Sequence, residues 1–67
     1  MQMIINGNLR DFELTHMTIM ELVNTLNLEG KRLAIEHNGE IVPRSEFGNV
    51  ILLNGDQLEI VGAVGGG

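Results

Sequence analysis

The residues with the most chemical promise in this sequence are its last ones. "VGAVGGG" sets Gly65, Gly66 and Gly67 directly after a segment whose alternation marks a strand. A glycine-rich loop can cradle phosphate, but this run has no lysine and no following helix whose N-terminus would hold an anion. What it offers instead is backbone without Cβ atoms, thin enough to thread a narrow channel and carry an α-carboxylate into another protein's active site. One reading makes the carboxylate of Gly67 the reactive group, with the glycines as its leash. The competing reading is a frayed end with no role, since termini order poorly and glycine adds to that tendency.

Side-chain chemistry has little to work with. There is no cysteine, and His16 and His37 are isolated, so neither thiolate catalysis nor a side-chain metal site is expected. The carboxylates come singly along predicted solvent faces rather than paired in a pocket, which argues against an enzyme. A net charge of −5, with only Arg10, Lys31, Arg32 and Arg44 positive, disfavours nucleic acid and favours partners with basic surfaces. Sixty-seven residues allow one small core. No apolar run approaches the roughly 20 residues of a membrane span, and "MQMIINGNLR" lacks the basic head and apolar stretch of a secretory signal, so no membrane partner and a cytoplasmic location are expected.

The elements that must position such a tail can be read from the turns. Asn-Gly pairs at Asn6, Asn38 and Asn54 supply the positive φ angles of tight turns. Around the first, Met3 and Ile5, then Phe12 and Leu14, alternate with polar or outward residues and predict an N-terminal hairpin. In "MTIMELVNTLNL", Ile19, Leu22, Val23 and Leu26 fall on one helical face. Thr18 is the predicted N-cap with Glu21 completing a capping box, and the helix is expected to fade near Asn27 to Gly30, with Gly30 as the left-handed terminus. Leu33 and Ile35 open a second hairpin whose partner run, Ile41 and Val42, stops at Pro43. "PRSEF" predicts one helical turn with Phe47 plugging the core, and "QLEIV" a last strand with Leu58 and Ile60 inward.

The order β-β-α-β-β-β predicts an α+β, ubiquitin-like β-grasp: a mixed sheet of four to five strands packed on one helix. The domain spans 1–64 and the glycine tail 65–67. First and last strands would lie parallel at the sheet centre, because a parallel pair needs a long crossover and the helix supplies it. If Leu58 and Ile60 face the helix, then Ile4, Ala34 and Val61 face the other way and form a candidate docking patch.

"NGEIVPRSEF", "NGDQLEIV" and the ending "VGGG", in that order, resemble the ThiS family, the sulfur carriers of thiamine thiazole biosynthesis. The resemblance implies a carrier whose Gly67 carboxylate is adenylated by an E1-like, ThiF-like adenylyltransferase. ATP is consumed by that enzyme and no cofactor is bound by the carrier. Sulfur mobilised by a donor system such as a cysteine desulfurase then gives a thiocarboxylate, which attacks an imine on a ThiG-like thiazole synthase. The carrier is a cosubstrate and not a catalyst. The resemblance also implies that Gly65 and Gly66, which match the family's tail, serve access and that Val64 docks where tail meets domain; Gly62 departs from the bulkier residue expected before the tail. A diglycine end is shared with the MoaD subunit of molybdopterin synthase and with ubiquitin-like modifiers, so two alternatives stand: a MoaD-like carrier, and a non-conjugating β-grasp interaction module.

Overall fold

The computed structural model describes residues 1–62. The first two turns form as the sequence requires: Asn6 and Gly7, then Asn38 and Gly39, all have positive φ, the backbone of a two-residue type I′ loop. They close the hairpins β1 (Gln2–Ile5) with β2 (Asn8–Asp11), and β4 (Leu33–His37) with β5 (Glu40–Val42). The last strand, β7 (Gln57–Gly62), lies between them, parallel to β1 and antiparallel to β4, giving a five-stranded sheet in the order β2-β1-β7-β4-β5.

One face of that sheet is covered by α1 (Ile19–Thr25), which buries Ile19, Leu22 and Val23. Met3, Ile5, Ile35, Leu58 and Ile60 meet them from the sheet, and Phe47, led in by a single 3-10 turn (Arg44–Glu46), completes the core at 3% exposure. The predicted β-grasp, its central parallel pair and the inward and outward faces of the last strand all stand.

Three local expectations give way. The second half of the first hairpin ends at Asp11, because the Phe12 amide already donates to the Met1 carbonyl and residues beyond it have no partner on β1; Leu14 is exposed. Met17–Thr18 (β3) and Ile51–Leu52 (β6) form an additional two-stranded sheet that clips the entry of the helix to the segment before the last turn. The helix ends at the near side of the expected Asn27-to-Gly30 stretch, and Asn27, not Gly30, takes its left-handed terminal position: Asn27 has φ 58°, the Leu28 amide donates to the Val23 carbonyl and the Asn27 amide to that of Asn24. This double reversal satisfies the last carbonyls of the helix. Gly30 also has positive φ, in the connection to β4.

Candidate functional site: the root of the C-terminal tail

Strand β7 is the platform from which the tail leaves, and both of its flanks are occupied. On one side the Ile4 and Asn6 amides donate to the Asp56 and Leu58 carbonyls at 3.0 and 2.9 Å. On the other, β4 pairs along the length of β7, from His37 opposite Leu58 to Leu33 opposite Gly62.

Beyond the end of β1 the Asn6 side chain continues the ladder. Its Nδ2 donates to the Ile60 carbonyl at 3.1 Å and its Oδ1 accepts from the Ile60 amide at 2.7 Å, a side-chain amide doing the work of a strand residue. The same device recurs at the other turns. Asn38 Oδ1 accepts from the Gln57 amide at the start of β7, and Asn54 Oδ1 accepts from the Gln2 amide at the start of β1. In the sequence these asparagines signal turns; their clamps were not foreseen, and the one clue was an Asn, rather than Asp or Gly, at the first turn position in all three.

The start of β7 is also held by charge. Asp56 accepts from the His37 ring at 2.7 Å, the Leu53 amide at 3.0 Å and the Asn38 amide at 3.3 Å. Burial by itself would raise the Asp56 carboxyl, but the hydrogen bonds from His37, Leu53 and Asn38 outweigh it and hold the carboxyl below its ordinary range. His37, read as a surface residue, is instead mostly enclosed, with its side chain 20% exposed. His16 pairs only with the neighbouring Thr15 hydroxyl. Among the described residues no group of three or more His, Asp or Glu could hold a metal ion, and no helix is long and apolar enough to cross a membrane.

Val64, Gly65, Gly66 and Gly67 lie outside the described residues. At their root, Gly62 has nothing within 4 Å of where a Cβ would sit, so the bulkier residue expected there would have had room. On the outer sheet face Ala34 and Val61 stand directly opposite each other next to that root, both exposed. Ile4 is half-buried and paired with Gln57, four residues back along β7, about 13 Å away at the rise of a strand. Two other residues share the face and went unremarked in the sequence: Leu9 beside Ile4, 65% exposed, and Ile41 beside Glu36, 77% exposed. Strand register, which sequence periodicity does not provide, is what puts them there.

Comparison with known proteins agrees with this architecture. The ThiS family model matches residues 3–67. The sulfur carrier protein ThiS of Bacillus subtilis is 40% identical over 50 residues, 75% of this chain and 76% of the relative. The thiazole synthase of Paramagnetospirillum magneticum is 42% identical across the whole chain, which spans only 20% of that protein's length. A thiazole synthase of Magnetococcus marinus is similarly covered, at 33% identity. The crystal structure of the thiamine biosynthesis protein ThiS from Geobacter metallireducens superposes with a TM-score of 0.88 at 26% identity, each chain fully covered. A family match that takes in nearly every residue, together with a β-grasp shared with a solved member, places this chain in the ThiS family.

Proposed function

We propose that the chain is a sulfur carrier of thiamine biosynthesis whose working group is the Gly67 carboxylate. The observation that carries the reading is a family match running through the glycine tail to residue 67. The relatives' names point the same way, one a sulfur carrier and two of them thiazole synthases that contain a segment similar to this chain. A domain of this size, with two-sided clamping of its last described strand, suits a part that is handed between enzymes.

A carboxylate resists nucleophiles, so activation comes first. One Gly67 carboxylate oxygen attacks the α-phosphorus of ATP on an E1-like adenylyltransferase and pyrophosphate leaves, giving an acyl-adenylate. The persulfide of a donor system such as a cysteine desulfurase attacks the acyl carbon, and AMP departs with that oxygen, leaving an acyl disulfide. A thiol then reduces its S–S bond and is itself carried off as a disulfide, and a thiocarboxylate remains. The thiocarboxylate sulfur is then the nucleophile toward an imine on the thiazole synthase, and hydrolysis returns the carboxylate. The carrier is a cosubstrate throughout, ATP belongs to the activating enzyme, and the absence of cysteine is no obstacle because the sulfur rides on the backbone. Gly65 and Gly66 give access, Val64 seats the tail at the channel mouth, and Ala34 with Val61 and, farther along the face, Ile4 dock the domain.

The test is the intact mass after incubation with ATP, an E1-like enzyme of this family and a sulfide source, with fragmentation of the C-terminus. The expected result is the exchange of one oxygen for sulfur, localised to Gly67 and lost when Gly66 and Gly67 are deleted. An unchanged mass, with an enzyme that loads another carrier in parallel, overturns the proposal.

A further inference from the structure

The sheet order leaves two edges, β2 and β5. On β2 the register fixes which backbone groups are free. Phe12 and Met1 exchange hydrogen bonds, so by antiparallel alternation Arg10 and Asn8 bond to β1 while the N–H and C=O groups of Leu9 and Asp11 point outward. All four residues of the strand are exposed. An open edge of this kind is a template for one more strand.

Beside it runs a groove of about 420 Å³ between β2 and the connection from α1 to β4. Ile5, Leu28 and Ile60 contribute its apolar floor, Arg10 and Lys31 its rim, and Gly62 its far end, where the missing side chain keeps the groove open. No carboxylate lines it. In a chain with nine acidic and four basic side chains, the gathering of two cations gives this groove a sign opposite to that of the molecule, with Asp11 of β2 on the other sheet face. The other edge differs. It is three residues long, ends at Pro43, and its neighbouring groove is lined by Glu40 and Glu46.

We propose that β2 and this groove bind an extended segment of a partner protein by strand addition, an apolar stretch flanked by carboxylates. The Leu9 and Asp11 backbone groups supply the ladder, alternate apolar side chains enter the groove, and the flanking carboxylates meet Arg10 and Lys31. Arg10 on the edge discourages a second copy of the chain, whose own Arg10 would come close. This inference does not depend on sulfur loading at Gly67.

The test is titration of the ¹⁵N-labelled full chain with a capped synthetic peptide, Val-Ile-Val-Ile between Asp-Glu pairs, followed by amide shifts and hydrogen exchange. The expected result is a set of shifts centred on residues 9–12 and on Lys31, with slowed exchange at the Leu9 and Asp11 amides. The exposed-site double variant Arg10→Glu, Lys31→Glu should keep its spectrum elsewhere and bind about tenfold more weakly. No shifts at millimolar peptide, shifts on β5 instead, equal binding of a peptide with Lys-Arg flanks, or an unweakened double variant would each overturn it. Mass-detected loading of Gly67 is read separately, so failure here leaves that reading intact.

Discussion

Asn6 carries two jobs that can be separated by substitution. Its φ of 51° is a turn requirement, and its amide is the clamp on Ile60. Asn6→Gly keeps the first and removes the second, leaving the Ile60 amide and carbonyl without partners. The expected loss is about 2 kcal/mol, or roughly 10 °C in Tm for a domain of this size, measured by thermal unfolding. Asn6→Ala should lose more, because alanine is strained at that φ as well. Asp56 gives a pH dependence. Its carboxyl is held low in the folded state by His37, Leu53 and Asn38, so the unfolded chain binds more protons between the folded value and about pH 4. The stabilisation is complete above that ordinary range and is lost as pH falls through the folded value. Asp56→Asn should flatten the acid limb of a stability-against-pH curve and lower its plateau; an acid limb of unchanged slope would assign the dependence elsewhere. The turn chemistry at these residues was legible in the sequence because Asn-Gly has a local cause. The clamps were not, since each reaches a strand 19 to 54 residues away.

At the scale of elements, the helix shows how much a local signal can decide. The Glu21 amide donates to Thr18 Oγ1 at 3.1 Å and the Thr18 amide to Glu21 Oε1 at 2.8 Å, the reciprocal box that the spacing predicted. The Thr18 amide, helped by the Thr18 hydroxyl and the charge of His16, holds the Glu21 carboxyl below its ordinary range despite the opposing effect of desolvation. With only seven residues, α1 is too short to persist without its cap and its buried face. Thr18→Ala should therefore cost about 1 kcal/mol in chemical denaturation, with little change in the slope of the transition. At the far end of the helix the left-handed position falls to Asn27 instead of Gly30 for the converse reason. Gly30 is the better left-handed residue by type, but Leu28 packs against the core, and the chain reverses at Asn27 to bring it there. The two-residue strands β3 and β6 had no periodicity to reveal them; they exist because the Ile19 and Met20 amides reach the Val50 and Phe47 carbonyls across a long stretch of sequence.

For the whole molecule, the β-grasp was legible because one amphipathic helix between two Asn-Gly hairpins leaves few ways to bury a single core. The candidate site is proposed from the glycines and Gly67, which lie outside the described residues, and the sequence says little of its surroundings. The placement of Ala34 against Val61, the distance of Ile4 from both, and the basic groove at Gly62 all follow from register between strands remote in sequence. The central position of β7 has a mechanical side. Its backbone bonds to β1 and β4, and the Asn6 clamp, run across the axis of the strand. A pull along β7 therefore loads them together, in shear, instead of peeling them one after another, and meets the sheet as a single body.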